Sequence, residues 1–156
     1  MIKDRTILRN AIAVIIGLVV ALVFITTAIT FVATSYGWEV DGLIFDEWRH
    51  VVKNFARLSE ANQERGFFWS LLISAGIGSM IGGTVTAVLV KRAKLAYAML
   101  IGFILLLIGL LDIIFTPYHP FWYEIILLPV LFFFSWLGGK VVVVIYKKFF
   151  RYQKVL

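Results

Sequence analysis

Three side chains that could do chemistry lie around one short turn of this otherwise apolar chain. Asp112 and Glu124 lie three residues inside the apolar segments that flank residues 116–120, and His119 lies at the tip of the turn. A tight turn makes the two segments antiparallel neighbours, so the carboxylates should lie at similar depth. If they face each other, like charge and poor solvation would hold a proton between them. Otherwise each accepts hydrogen bonds from aromatic or histidine donors, or pairs with basic side chains of residues 49–65.

Metal binding is a second chemistry that these residue types allow. His50, His119, Asp112 and Glu124 offer nitrogen and oxygen ligands. Their spacing matches no ligand motif. The one property that the four residues share is that all are expected on the same side of the protein. We therefore predict no metal and no cofactor.

The signatures of common enzymes are missing from the sequence. There is no Gly-x-Ser-x-Gly elbow, no His-Glu-x-x-His pair and no phosphate-binding glycine loop. The chain has no cysteine, which excludes disulfides and thiolate chemistry. Ser135 and Lys140 are five positions apart and fall on different faces of a helix, so they do not form a dyad. The sequence predicts a protein that is not an enzyme.

The composition points to a membrane as the medium in which these residues are positioned. Hydrophobic residues make up 62% of the chain and charged residues 15%, whereas soluble domains have about 45–50% apolar and about 25% charged residues. A helix needs about 20 residues to cross a hydrocarbon core of about 30 Å. We predict one membrane domain, an all-α bundle of four transmembrane helices, with spans at about 7–35, 67–90, 95–115 and 121–146.

The first of these stretches could also be a secretory signal peptide, because basic residues precede it. Its apolar body, residues 11–33, is longer than the usual 7–15-residue core of a signal peptide. It also lacks a convincing small-x-small cleavage site. We therefore expect an uncleaved first span.

Residues 37–66 form the extended polar segment between the first two spans. Apolar residues recur within it at spacings of three and four, which predicts an amphipathic helix at about 42–62. Trp48 and Phe55 on its apolar stripe favour a helix that lies along the membrane interface and covers the mouth of the bundle. A helix that binds a partner protein is the alternative.

The basic residues predict the orientation in the membrane. Most of them lie in the N-terminal head, the 91–94 turn and the C-terminal tail, so the positive-inside rule places both termini in the cytoplasm and residues 37–66 outside. The net charge of +6 thus indicates anionic headgroups of the bilayer, not nucleic acid, as the partner. Snorkelling or headgroup contacts are expected of Lys140, Lys147, Lys148 and Arg151.

Small residues recur along the second span at four-residue spacing. Such a row lets a neighbouring helix approach closely, which favours a packing seam. A glycine-lined pore or ligand groove is the alternative. The predicted seam consists of Ser74, Gly78, Gly82 and Thr86, with Gly83 beside them and the pair Gly138 and Gly139 on the fourth span.

The turn and the last span together resemble a known pattern. Residues 117–122 read Pro-Tyr-His-Pro-Phe-Trp, and residues 136–140 read Trp-Leu-Gly-Gly-Lys. This is similar to uncharacterised small bacterial inner-membrane proteins with four spans, which begin their last helix with His-Pro-aromatic-Trp and carry a glycine pair later in it. The resemblance covers about residues 76–145. It implies a four-helix inner-membrane protein, but no activity and no functional residue.

Two functions remain in competition after these exclusions. The favoured one is a structural, assembly or accessory role, in which the helices pack with a membrane-protein partner or with a second copy. The alternative is a small oligomeric transporter or channel for protons or small cations that uses Asp112 and Glu124. A kink at Pro129 and a faint repeat of residues 82–92 at 138–148 would suit such a transporter. A membrane enzyme acting on lipid is the least favoured function.

Overall fold

The computed structural model describes the backbone of residues 2–37, 49–53 and 61–153, and the side chains within 7–37, 49–53 and 65–148. All regular elements in these residues are helical. They are α1 (Ile2–Ser35), α2 (Ala61–Leu89), α3 (Lys94–Phe115) and α4 (Phe121–Gln153), with a short helical segment at 49–53. Each long helix contains a stretch that is long and apolar enough to cross a membrane. This confirms the predicted all-helical class with four candidate spans.

The helix predicted at about 42–62 lies mostly outside the described residues. Within it, residues 49–53 are helical, and Val51 and Val52 are buried in the same core as Phe67 and Phe68. Residues 61 and 62 belong to α2, which begins six residues before the predicted start of the second span at 67.

α2 is the central helix of the structure. It packs extensively against α1 and α4 and also contacts α3, whereas α1 touches α3 only slightly. In the most apolar stretch of α2, 56% of the residues are buried. The corresponding fractions in α1, α3 and α4 are 17%, 22% and 28%. The small residues of α2 explain this position, because they let three neighbours approach one helix.

The two ends of the structure differ in chemistry. We call the end that carries residues 116–120 the hairpin end, and the end that carries residues 90–93 the basic end. At the basic end α2 and α3 are joined through Ala93, which has a left-handed backbone with φ 53°. The ammonium group of Lys94 donates hydrogen bonds to the carbonyls of Ala87 at 2.8 Å and Val90 at 2.6 Å. A cation placed there satisfies the last carbonyls of α2.

Candidate functional site

The turn at the hairpin end is fixed by its own backbone hydrogen bonds. The Thr116 amide donates to the Asp112 carbonyl at 2.8 Å and ends α3. After the turn, the carbonyl of Pro120 accepts hydrogen bonds from the amides of Tyr123 at 2.9 Å and Glu124 at 3.3 Å. Proline lacks an amide hydrogen and so suits a position just before a helix. These contacts set the place of His119 between the two helices.

His119 is buried and lies between the Thr116 carbonyl of the turn and the Asp112 carboxylate of α3. Its Nδ1 lies 2.9 Å from the Thr116 carbonyl oxygen. A carbonyl only accepts, so Nδ1 carries a hydrogen and donates it. Its Nε2 lies 3.6 Å from Asp112 Oδ2, which is beyond hydrogen-bonding distance, and this nitrogen has no hydrogen-bond partner among the described residues. The neutral imidazole therefore points a lone pair toward a carboxylate, and protonation would place an N–H there instead.

Burial lowers the pKa of His119 below its ordinary value of 6.5, because the protein interior solvates the imidazolium ion poorly. The Asp112 carboxylate opposes this shift most strongly, followed by the Thr116 carbonyl and the Glu124 carboxylate. Burial wins, so the imidazole is neutral at pH 7.

Aromatic packing attaches this turn to α2. The His119 ring stacks on Tyr123, with ring centres 5.2 Å apart and planes inclined by 14°. The ring of Phe68 from α2 meets the His119 ring edge-on, with ring centres 5.9 Å apart. The same Phe68 ring is tilted against Tyr123, with ring centres 5.2 Å apart. Beside these rings, the ring centres of Trp69 and Trp122 lie 5.4 Å apart. Pairs of Phe, Tyr and Trp rings stabilise by about 0.5–1.5 kcal/mol beyond their buried area, so this packing helps to hold the turn against α2.

The segment 49–53 brings two cations to the outer surface of the turn. The guanidinium carbon of Arg49 lies 6.0 Å from the centre of the Tyr118 ring, and the Lys53 ammonium lies 5.5 Å from it. Both distances fall within the range of cation–π attraction. Tyr118 therefore connects the segment 49–53 to the turn.

The predicted polar residues are only partly brought together. Asp112 lies beside His119 and Thr116, with the Thr116 hydroxyl 3.5 Å from Asp112 Oδ1. Glu124 influences His119 electrostatically, but no contact joins it to Asp112 among the described residues. His50 is exposed. No group of three metal-ligand side chains occurs within the part of the chain that the structure describes.

The predicted glycine row of α2 faces α1. A Cβ added at Gly82 would lie 2.6 Å from the Ala21 Cβ and 2.8 Å from the Gly17 carbonyl oxygen, and one at Gly78 would meet Ile25. The buried Thr86 hydroxyl lies 3.4 Å from the carbonyl oxygen of Ala13, also on α1. Only Ser74 differs, because its hydroxyl bonds within α2 at 2.8 Å to Ser70.

The remaining glycines of the predicted seam face other helices. A Cβ at Gly83 would meet Ser135 of α4, and one at Gly138 would meet Met80 of α2. Gly139 points instead to Ala98 of α3. The seam is therefore three separate close contacts, each occupied by a helix of this same chain.

Buried hydroxyls add hydrogen bonds between these helices. Ser79 donates to the carbonyl of Leu131 across the α2–α4 contact. Ser135 donates to the carbonyl of Ala98 across the α3–α4 contact at 2.6 Å. In an apolar medium a hydroxyl needs such an acceptor. These serines act in packing.

The predicted headgroup residues lie at the basic end. Lys140 is exposed, and its ammonium lies 4.5 Å from the centre of the Trp136 ring. Lys147 and Lys148 are also exposed, whereas the side chain of Arg151 lies outside the described residues. The hydrogen bonds from Lys94 to the last carbonyls of α2 were not predicted, although a lysine next to a helix end is the usual signal for such a contact.

The hairpin half contains a cavity that was not predicted from the sequence. Its volume is about 250 Å³, and all four long helices contribute to its walls. Asp112 and Tyr123 line it together with leucine and isoleucine side chains. Helix periodicity cannot reveal such a space, because it depends on the distance between helices. The arrangement can hold an apolar molecule beside a carboxylate.

Comparison with known proteins adds no further constraint. No family model matches this chain, and no curated protein or solved structure matches it. The resemblance at residues 117–122 and 136–140 therefore remains an expectation. Function has to be inferred from the arrangement of the described residues.

Proposed function

We propose that this protein is a non-enzymatic accessory or assembly protein of the inner membrane, which works by helix packing with a membrane-protein partner or a second copy. In this proposal the four spans form a bundle with both termini in the cytoplasm. The basic end then meets anionic headgroups through its exposed lysines. The polar segment at 42–62 covers the opposite, extracytoplasmic mouth of the bundle.

One observation carries this proposal: the polar and small residues of the interior are used in contacts between helices. The buried hydroxyls of Ser79, Thr86 and Ser135 bond to carbonyls of neighbouring helices. The glycines of α2 and α4 are covered by helices of the same chain. A partner would therefore meet outward-facing residues and not the seam.

Transport is the second candidate, and the cavity beside Asp112 favours it. A transporter also needs a path that continues toward the other side of the membrane. Below the cavity, α1 and α2 approach each other closely at Gly82 and Ala21, which narrows the space between these two helices.

The test begins with the protein in its own membranes. A tagged chain is extracted into nanodiscs formed directly from native membranes, and its assembly state is measured by native mass spectrometry. The accessory role predicts a defined complex with a partner or a second copy. A chain that is monomeric throughout would contradict it.

Variants then locate the interacting surface. Tryptophan is placed at exposed positions on α1, Val19 and Val23, and on α4, Val141 and Val144. The accessory role predicts that one of the two pairs dissociates the complex and leaves the helix content unchanged. If neither pair does so, the outward faces of these helices are not the interface.

The transport alternative is measured separately in sealed liposomes. Proton or cation flux that saturates and disappears in Asp112→Asn, but persists in Glu124→Gln, would overturn the accessory role. Flux equal to that of empty liposomes supports it.

A further inference from the structure

Arg9, near the start of α1, carries buried hydrogen-bond donors that the protein does not use. Its Nε and Nη2 atoms are buried, and neither has a hydrogen-bond partner among the described residues. These two nitrogens lie on one edge of the guanidinium group, where their N–H bonds are parallel. This edge binds pairs of oxygens on phosphate or carboxylate groups. Because buried charges are normally paired, the unused edge indicates an anionic ligand.

The packing of α1 against α2 places Arg9 at the basic end. The two helices run antiparallel, and the Thr86 hydroxyl of α2 lies 3.4 Å from the Ala13 carbonyl oxygen of α1. Four residues back along α1 therefore correspond to four residues onward along α2. Arg9 precedes Ala13 by four residues, and Val90 follows Thr86 by four residues. Arg9 thus lies at the level where α2 ends.

Asn10 joins α1 to α3 next to Arg9. Its Nδ2 donates a hydrogen bond to the Tyr97 hydroxyl at 3.0 Å, and its Oδ1 is buried without a partner within the described part of the chain. If the amide turns over, the Tyr97 hydroxyl donates to the oxygen, and the NH₂ group becomes available instead. Asn10 can therefore add a neutral donor beside the cation.

Lys94 is the second cation of the site. The charge of Arg9 acts on it electrostatically, and Lys94 lies three residues before Tyr97, on the same side of α3. Its ammonium group already donates to two carbonyls at the end of α2, and its further contact with the Val88 carbonyl is long, at 3.5 Å. Carbonyl groups have no net charge, so they orient the ammonium group without neutralising it.

No acidic side chain balances these cations among the side chains that the structure describes. The described carboxylates are those of Asp112 and Glu124, and both belong to the hairpin end. The Lys94 ammonium lies 4.1 Å from the centre of the Tyr146 ring, which brings α4 and the two lysines that follow this tyrosine to the same end. Positive charge therefore accumulates around the site and attracts anions.

We propose that Arg9 and Lys94 bind one phosphate group at the basic end, where α1 and α3 begin and α2 ends. The guanidinium edge takes two oxygens, and the ammonium group approaches from the side of α3. A phosphate group suits two cations on different helices, because its oxygens point in several directions, whereas those of a carboxylate lie on one side of one carbon. The Arg9 side chain as a whole is partly exposed, so rotation about its stem can turn this edge toward the ligand.

The phosphate group belongs to a lipid headgroup or to inorganic phosphate in water, and the chemistry of recognition is the same. In the proposed function the basic end meets headgroups only through exposed lysines. A site with a fixed stoichiometry of one goes beyond that general attraction, and it does not depend on the accessory role.

Two probes distinguish the sources. Dioleoyl phosphatidylglycerol and dioleoylglycerol, which lacks the phosphate, are titrated into the purified protein in a neutral detergent, and bound lipids are counted by native mass spectrometry. Inorganic phosphate is titrated into the same sample by calorimetry. A lipid source predicts one phosphatidylglycerol that binds at least about tenfold more tightly than dioleoylglycerol. A soluble source predicts saturable binding of one inorganic phosphate per chain, and either result supports the site.

Variants place the phosphate group within the structure. Arg9→Gln removes charge-assisted hydrogen bonds, so affinity should fall by about tenfold or more. Arg9→Lys keeps the charge but loses the paired edge, so it should also weaken binding, and it serves where Arg9→Gln disturbs the fold. Arg92→Gln is the matched control, because Arg92 is an exposed arginine of the same end. It should weaken binding by less than about fivefold.

Unfolding by SDS separates loss of binding from loss of fold. The ligand that binds should raise the resistance of the original protein to SDS, but not that of Arg9→Gln. The proposal is overturned if neither probe binds saturably, or if Arg92→Gln weakens binding as much as Arg9→Gln. It is also overturned if Arg9→Lys binds as tightly as the original protein, because the paired edge would then play no part.

Discussion

The close approach of α1 and α2 at Gly82 predicts that a single added methyl group will destabilise the protein. In Gly82→Ala the new Cβ would lie 2.6 Å from the Ala21 Cβ and 2.8 Å from the Gly17 carbonyl oxygen. Carbon atoms in contact stay about 3.5–4.0 Å apart, so α1 must move away by about 1 Å. Neither neighbour is the end of a flexible side chain, so local rotation cannot relieve the contact.

Two opposing effects set the size of this change. Alanine favours the helix over glycine by about 1 kcal/mol. Forcing an extra methyl group into a well-packed contact costs about 1–3 kcal/mol. If α1 moves away instead, a gap of about 0.5–1 Å removes a quarter to a half of the dispersion energy of each separated contact. Because the displaced contact joins two long helices, we expect a net loss of about 1–2 kcal/mol. That corresponds to about a 5- to 30-fold smaller ratio of folded to unfolded protein.

Gly76→Ala provides the matched control on the same helix. Its Cβ would meet Val130 Cγ1 at 3.2 Å and ring carbons of Phe134 at 3.4 and 3.5 Å, which are side-chain atoms that can shift. We expect its free energy of unfolding to stay within about 1 kcal/mol of the original, because the gain in helix propensity offsets mild crowding. Both variants are unfolded by SDS in mixed micelles and followed by far-UV circular dichroism. If Gly82→Ala is as stable as Gly76→Ala, the reasoning from close approach fails.

Three further predictions use the same unfolding measurement. Ser135→Ala removes the hydrogen bond to Ala98 and should cost about 0.6 kcal/mol, the average for such bonds in a membrane protein; no loss would mean that the hydroxyl is not engaged. Lys94→Met removes the cation from the end of α2 and should cost about 0.3–1 kcal/mol, whereas Lys91→Met, at an exposed position in the turn, should change little. The lowered pKa of His119 predicts stability that is full above pH 6.5 and declines as the pH falls below it, since the unfolded chain binds the proton first. His119→Gln should flatten that decline, and an unchanged pH profile would contradict the assignment.

The four helices were predictable because their signal is local. An apolar stretch of sufficient length is visible in sequence, and the spans end near charged or proline residues, as at Lys94 and Pro120. The helix α2 begins six residues before the span predicted at about 67–90, because residues 61–66 are largely polar and still helical. Polarity marks where a helix leaves an apolar medium, not where its backbone hydrogen bonds begin.

The partners of the small residues were not predictable, because spacing fixes a face but not the helix that covers it. Gly82 and Gly83 are adjacent in sequence, yet one faces α1 and the other faces α4. The same holds for Gly138 and Gly139, which contact α2 and α3. Adjacent positions on a helix point about 100° apart, so a pair of glycines serves two neighbours at once. A pair of adjacent glycines is visible in the sequence, but only the packing shows which helix each of the two contacts.

The close contact at Gly82 and the cavity beside Asp112 both involve residues of α1. At Gly17 and Gly82 the backbones of α1 and α2 approach until no side chain separates them. Toward the hairpin end α1 instead carries Leu22, Ile25 and Ile29, whose larger side chains line the cavity. Small residues at one depth permit a close contact and large ones at another favour a wider separation, because side-chain size sets the distance between the axes of packed helices.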